Sequence, residues 1–374
     1  MAEITRLSMY TVNLDVWGGV SRYNQQQAMQ VPLEANILRL DSDDGVVGWG
    51  ETCTPPPFYM PTLSSGAREA VRHLAPLLLG ADTDRPNAIM RAIDLAMRGH
   101  RPAKSVIEMA LWDLFGKRCG RSLVDLWGGR VAERLPVLAM ASAGTPEQTM
   151  ASIARYREAG YRHFQVKIGL AGHEQDIDTI TRVCESLLPE ERCWFDVNRG
   201  WSLDDAMQVL PRVAHLSPLL EQPCETYEEC LSLSRRFGFG LMLDELIDSP
   251  DALIRAHADG IIDVAVLKLA STGGIGRQRA LSELAHHYRI PLRIEDYFGT
   301  GITMAAVAQI VHSLPQSACF AMYDYHLPEL PVVRNPIAVS EGWLSMPMDY
   351  GPGLGVEVDE SLLGEPVFVI DASA

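Results

Sequence analysis

From about residue 135 to 325 the chain alternates a short apolar run with an amphipathic stretch, eight times over. The apolar runs fall at 136–141, 163–168, 193–197, 218–222, 240–244, 262–269, 291–295 and 318–323. Runs this short suit strands, and intervening helices demand parallel pairing, because a crossover must carry the chain back before the next strand begins. Eight such units point to a closed (β/α)8 TIM barrel rather than an open doubly wound sheet. The helix ends carry their own signals. Thr145 with Gln148 and Thr226 with Glu229 fit capping boxes, Ser202 fits an N-cap, and Ser249-Pro250 sets a cap before a proline at the first helical position. Gly160, Gly238 and Gly260 stand where helices should stop.

The first 125 residues read differently. Leu7–Leu14 and Glu34–Glu51 are extended segments, the second folded on itself at Asp43-Asp44-Gly45, a two-residue hairpin signal. Three helical patterns follow at about 66–79, 85–98 and 103–118, the last with Val106, Ile107, Ala110, Leu111 and Leu114 on one face. Two loops, about 15–30 and 52–63, are free to cover something, and the second carries Pro55-Pro56-Pro57-Phe58-Tyr59. The expected fold is therefore α/β: a modified (β/α)8 TIM barrel over 126–335 with an N-terminal α+β capping domain over 1–125, completed by 336–374.

Charge narrows the partners. Across 374 residues, 32 Lys and Arg face 48 Asp and Glu, a formal charge of −16, and no basic block relieves it. A polyanionic partner, whether nucleic acid or an acidic membrane surface, is not expected. No apolar run is long enough for a membrane span, and Met1–Arg6 lacks the pattern of a signal peptide. Seven scattered cysteines with no Cys-x-x-Cys pair fit reduced cytoplasmic thiols better than disulfides or zinc.

In a barrel of this kind, reacting groups lie at the C-terminal strand ends. Those ends carry Lys167, Asp196, Glu221, Asp244 with Glu245, Lys268 and Asp296, with gaps of 23 to 29 residues, one β/α unit each. Three acids entering one cup from consecutive strands repel one another unless a cation neutralises them. Oxygen-only ligands from Asp196, Glu221 and Asp244 suit a hard ion, and so few of them, with room for water and substrate, favour Mg²⁺ over Ca²⁺. Lys167 and Lys268, on the second and sixth strands, fall on opposite walls with the metal between them. A partly desolvated lysine beside a metal has a lowered pKa and serves as a proton acceptor. Two of them facing a bound carboxylate can take an α-proton from one face and return it to the other, or one can take it while the other assists a leaving group. Against this stands the plainer reading of two lysines salt-bridged to the acids. Gly273-Gly274-Ile275-Gly276 lacks a full phosphate-loop spacing and reads as a turn opening a helix. His286 and His287 fall late in a helix, no His-x-x-x-His pair occurs, and no Gly-x-Ser-x-Gly elbow is present.

Gln165-Val166-Lys167-Ile168-Gly169, Asp196-Val197-Asn198-Arg199-Gly200-Trp201, Glu221-Gln222-Pro223, Asp244-Glu245 and Leu267-Lys268 together resemble the enolase superfamily, in its muconate lactonizing enzyme-like subgroup. The resemblance extends to Gly48-Trp49-Gly50-Glu51 and to Ala103-Lys104-Ser105 through Ala110-Leu111-Trp112-Asp113. It implies a Mg²⁺ ion that binds a substrate carboxylate and stabilises the enediolate formed when the α-proton leaves, with a capping domain whose loops choose the substrate. Two departures stand out. The subgroup usually has Lys-x-Lys on the second strand, and Gln165 takes the first position here. The mandelate racemase branch has a His at the end of the seventh strand, and Glu295-Asp296 stands there instead.

Within the subgroup, the Gln-x-Lys-x-Gly, Asp-x-Asn-x-Gly-Trp and Glu-Gln-Pro-Cys-x-Thr patterns are similar to enzymes of proline derivatives, the cis-3-hydroxy-L-proline dehydratases and hydroxyproline betaine 2-epimerases. The resemblance then implies Lys167 and Lys268 as catalytic bases, Asp196, Glu221 and Asp244 as Mg²⁺ ligands, and Gln165, Asn198, Tyr59, Asp296, Phe298 and Tyr323 as substrate-binding residues. Tyr59, Phe298 and Tyr323 offer aromatic faces for a cationic ring nitrogen. Gly299-Thr300-Gly301 replaces the usual Gly-Gly-Asp, which bears on how an amino group is recognised. A sugar-acid dehydratase or another amino-acid racemase is the enzymatic alternative, and a silent binding barrel the non-enzymatic one. Relatives are commonly dimers or octamers, so a homo-oligomer is expected.

Overall fold

Eight parallel strands pair in sequence order, Leu138–Ala141, His163–Lys167, Arg192–Asp196, Leu219–Glu221, Leu241–Leu243, Ile262–Lys268, Leu292–Glu295 and Cys319–Met322. These are barrel strands one to eight. A parallel bridge between Val137 and Met322 brings the last strand back to the first, so the sheet forms a nearly closed barrel. The computed structural model describes residues 2–14, 33–57, 59–141, 144–324 and 331–372. All eight apolar runs of the sequence are the eight strands. The capping boxes at Thr145 and Thr226 form as expected, Ser202 forms a third with Asp205, and Ser249 accepts from the Ala252 amide. Gly238 ends its helix in the left-handed conformation at φ 73°.

A four-stranded antiparallel sheet stands apart from the barrel. Its order is Phe368–Asp371, Ile4–Asn13, Glu34–Ser42, Val47–Cys53, so the C-terminal strand lies on the edge beside the N-terminal one. Helices Ser64–Leu74, Pro86–Ala96 and Arg101–Cys119 cover this sheet. The turn at Asp43-Asp44-Gly45 is a three-residue loop instead of a two-residue one. Ser42 N–H donates to Val46 O at 3.1 Å and Gly45 takes φ 82°, the left-handed position that follows a type I turn. Gly48 and Gly50 are required by close approach. A Cβ on either would lie 2.3 or 2.1 Å from the Ala110 or Val106 carbonyl oxygen of helix Arg101–Cys119. Of the two expected covering loops, 15–30 lies outside the described residues, as does Phe58 in the second.

Two cap carboxylates tie this unit to the barrel. Glu51, fully buried, accepts from the amides and hydroxyls of both Thr300 and Thr303 at 2.7–3.0 Å, at the start of helix Gly301–His312. Glu108 accepts from Gly276 N–H at 3.1 Å at the start of helix Ile275–His287. A Cβ at Gly274 would lie 1.8 Å from a Glu108 oxygen, so the glycine turn of 273–276 is a cradle for this carboxylate as well as a helix opening. Negative charge at a helix start is favourable, and both helices follow strands that carry site residues. Among the described residues no helix is long and apolar enough to cross a membrane, and all seven cysteines are free.

Replacing Glu51 by Ala leaves two buried threonine amides and two hydroxyls without their acceptor. The expected loss is about 3 kcal/mol of unfolding free energy. Urea denaturation of Glu51→Ala beside the native chain measures it, and a change below about 1 kcal/mol would show that Glu51 does not carry the joint.

Candidate active site

Strand alternation decides which side chains enter the barrel. Leu138, Trp194, Met242, Val264, Val266 and Ala321 form one apolar cluster in the barrel interior. Two residues further along their strands, Trp194, Met242 and Val266 are followed by Asp196, Asp244 and Lys268, so the polar residues form the next level toward the mouth. The register pairs Lys167 with Asp196, Asp196 with Glu221, and Lys268 with Glu295. Glu295, not Asp296, is therefore the seventh strand's equivalent of the other rim residues, and the even spacing read from the sequence was off by one there. Asp296 turns one oxygen to the amides of Ala270 and Tyr297 at 3.1 and 2.9 Å, and burial pushes its carboxyl up to about 7.

Each predicted metal ligand faces a nitrogen cation. Lys167 Nζ donates to Asp196 Oδ2 at 2.5 Å and to Asn198 Oδ1 at 2.7 Å. Lys268 Nζ donates to Asp244 Oδ2 and lies 3.6 Å from Glu295 Oε1. Arg293 donates from both terminal nitrogens to the two Glu221 oxygens, each at 2.6 Å, and from one of them to Glu295 at 3.0 Å. Gln165 Nε2 reaches Asp196 Oδ2 and Glu221 Oε2, both at 3.0 Å. The two lysine walls are joined through one hydroxyl. Tyr59 Oη donates to Asp244 Oδ2 at 3.4 Å and accepts from Asn198 Nδ2 at 3.2 Å.

Backbone strain aims this network. Asn198 and Arg199 take φ 47° and 63°, and Gln222 takes φ 38°, left-handed values uncommon for residues other than glycine. Asn198 N–H donates to Asp196 Oδ1 at 2.9 Å and so orients a rim carboxylate, while Gln222 Oε1 accepts from the Asp244 backbone N–H at 3.2 Å and ties down the strand end that carries Asp244. Arg199 donates to the Tyr59 carbonyl at 3.1 Å and pairs with Glu225 at 3.1 Å, clamping the proline loop to the barrel.

The mouth carries more negative charge than positive. Asp196, Glu221, Asp244, Glu245, Glu295 and Asp296 supply six carboxylates, against the four cations of Lys167, Lys268, Arg293 and Arg199. The consequences are visible in the acids. Burial and the neighbouring Glu221 push Asp196 up to about 6, and burial with Asp244 pushes Glu245 up to about 8. Burial also works against Glu221, yet the Arg293 guanidinium outweighs it and holds that carboxyl below its ordinary value. Lys268 departs from the expectation of a lowered pKa. Desolvation pulls it down, but Asp244 and Glu295 outweigh that and hold it well above the ordinary lysine value.

The donor set fits a divalent cation. It offers carboxylate oxygens on three adjacent strands, the mouth around it has a formal charge deficit of two, and both Glu245 oxygens are buried without a hydrogen-bond partner. Among the described residues no three carboxylates converge on one point, since each is turned to its own cation.

The remaining predicted residues divide. Tyr59 and Asn198 belong to the network. Phe298 does not line it; it packs with Leu14, Leu33, Ala35 and Cys53 in the seam between the cap and the barrel. Its neighbour Tyr297 faces the site instead, 5.4 Å from Tyr59 ring to ring, with Lys268 Nζ 4.6 Å from its centroid. Tyr323 follows the last residue of the eighth strand and packs against the interior apolar cluster. Sequence reasoning missed Arg293, Glu295 and Tyr297. Strand alternation was the available signal, because Arg293 and Glu295 share the parity of one face once Glu295 is set against Lys268.

Two family models match the chain, Enolase C-terminal domain-like over 148–362 and Mandelate racemase / muconate lactonizing enzyme, N-terminal domain over 25–128. A cis-3-hydroxy-L-proline dehydratase of Roseibium aggregatum is 32% identical over 370 residues, covering 98% of this chain and 99% of the relative. An L-Ala-D/L-Glu epimerase of Bacillus subtilis is 26% identical, covering 89% and 91%. A magnesium-complexed member of the enolase superfamily from Roseovarius nubinhibens superposes with a TM-score of 0.91 at 32% identity, covering 99% of this chain and 100% of that one. The chain belongs to the mandelate racemase / muconate lactonizing enzyme family of the enolase superfamily.

Tyr59→Phe removes the hydroxyl that joins Asn198 to Asp244. Turnover is expected to fall about 10- to 100-fold, the worth of a charge-assisted hydrogen bond, with melting nearly unchanged. Steady-state kinetics beside thermal denaturation checks this, and unchanged turnover would remove Tyr59 from the site.

Proposed function

We propose that this enzyme removes the proton α to the carboxylate of a proline-type amino acid or betaine, with Mg²⁺ held by Asp196, Glu221 and Asp244. The observation that carries this reading is the line Lys167, Asn198, Tyr59, Asp244, Lys268, which sets two ammonium groups on opposite walls of one carboxylate-lined mouth. When bound, the ion supplies Lewis-acid charge stabilisation at the substrate carboxylate. The protein's own residues do the rest. One lysine, in its neutral amine form, accepts the α-proton on one face. The opposite lysine either returns a proton to the other face, giving the epimer, or protonates a departing 3-hydroxyl, giving the alkene and water. Arg199 and Tyr59 close the proline loop over this space and keep water out. Tyr59 and Tyr297 already present their rings to Lys268 Nζ at 5.5 and 4.6 Å, so a protonated or quaternary ring nitrogen finds two aromatic faces.

The full-length similarity to a dehydratase supports elimination, and the lysine pair also supports epimerisation, as in the epimerase relative. Glu295-Asp296 at the seventh strand, with no His there, sets the site apart from that of a sugar-acid dehydratase. The partner is a small carboxylate, and the seven free thiols suit the reducing cytoplasm. Self-association into a dimer or octamer is supported by the edge strand Phe368–Asp371, which leaves Val367 and Val369 exposed.

N-methylated and hydroxylated prolines incubated with enzyme and Mg²⁺ in D₂O, followed by NMR and mass spectrometry, test the reading. Lys167→Ala and Lys268→Ala are each expected to lose turnover, while at least one keeps α-proton exchange from the opposite face. Full activity in either variant would contradict the two-lysine mechanism. Loss of one water from the product marks dehydration, and unchanged mass with inverted C2 marks epimerisation.

A further inference from the structure

Arg293 stands in the interior level whose other residues are uncharged. It pairs in register with Val266 on one side and Ala321 on the other, and it is 2% exposed. A guanidinium taken out of water is tolerated only where carboxylates meet its fork. Here both terminal nitrogens meet Glu221 at 2.6 Å, Glu295 takes a third bond at 3.0 Å, and the Trp194 ring lies 5.6 Å away. Gln165 shares that level, in register with Trp194, and offers its amide to Asp196 and Glu221 equally. The lone pairs can then be counted. Glu221 Oε2 accepts from Arg293 and Gln165 and is filled, while Oε1 accepts from Arg293 alone and keeps one lone pair.

We propose that Arg293 and Gln165 are the positioning floor of the metal site. Arg293 supplies the one fixed positive charge beneath Glu221 and sets its carboxylate so that Oε1 is the ligating oxygen. Gln165 spaces Asp196 from Glu221 without adding a second charge. The inference rests on the assignment of Asp196, Glu221 and Asp244 as Mg²⁺ ligands, and it makes the charge at position 165 and the charge at position 293 interchangeable but not additive.

Calorimetric titration with MgCl₂ and melting in metal-free buffer, on four chains, test it. Gln165→Lys alone puts two cations on Glu221 and is expected to weaken Mg²⁺ binding by about tenfold or more, with little change in melting. Arg293→Met strands a buried carboxylate and is expected to lower the melting temperature by more than about 5 °C and to weaken Mg²⁺ binding. The double variant Gln165→Lys with Arg293→Met moves the charge instead of removing it and is expected to recover most of both losses. A double variant no better than Arg293→Met overturns the proposal, as does unaltered Mg²⁺ affinity in Gln165→Lys. Should Arg293→Met not fold, Gln165→Lys and the solubility of the double variant still decide. A native chain that binds no Mg²⁺ defeats the proposed function, whereas the metal-free melting series still judges Arg293.

Discussion

The charge imbalance inside the barrel mouth governs the rest of this structure. Six carboxylates and four cations share a space largely closed to water, where each uncompensated charge costs several kcal/mol after relaxation. The protein answers by pairing Asp196, Glu221, Asp244 and Glu295 with lysine or arginine and with raised carboxyl pKa values at Asp196, Glu245 and Asp296. A divalent cation bound at such a site would offset the deficit and would leave Asp196 and Asp244 less dependent on their lysines. The same imbalance accounts for the high pKa of Lys268, which desolvation alone would have lowered.

Holding such a mouth together requires a rigid frame. The barrel strands fix the rim residues in register, the strained turn at Asn198 aims the Asp196 carboxylate, and Gln222 holds the Asp244 backbone. The cap reaches into the same frame through Glu51 and Glu108, each seated on the start of a barrel helix that follows strand six or seven. Side chains on cap loops, Tyr59 above all, are thereby referenced to the strands that carry Lys268 and Glu295. Tolerance for close contact at Gly274 is what lets the barrel meet Glu108 of the cap so closely, as Gly48 and Gly50 let the cap sheet meet its own helix.

Much of this was legible in the sequence because it rests on local periodicity. Eight apolar runs became eight strands, the helix caps fell where their side-chain chemistry placed them, and Lys167, Asp196, Glu221, Asp244 and Lys268 share one mouth as their spacing implied. The failures came where spacing alone cannot settle inward from outward. Asp296 and Phe298 were read one residue out of phase, since counting along the chain does not see the pleat that turns Glu295 and Tyr297 inward. Arg293 was invisible for a related reason, as a charged residue two places before the rim reads as surface until the register shows it facing Val266 and Ala321. The hairpin at Gly45 differed by one residue because a type I turn with a left-handed glycine uses the same letters as a tighter turn.

The central claim is that Asp196, Glu221 and Asp244 trade their present cations for one divalent ion. Crystals grown with Mn²⁺ and measured at its absorption edge test that claim most directly. The account predicts one anomalous peak per chain, bounded by those three carboxylates, with the Lys167 and Lys268 ammonium groups drawn away from Asp196 and Asp244. A peak held by other side chains, or no peak with Lys167 and Lys268 still on their carboxylates, would contradict it.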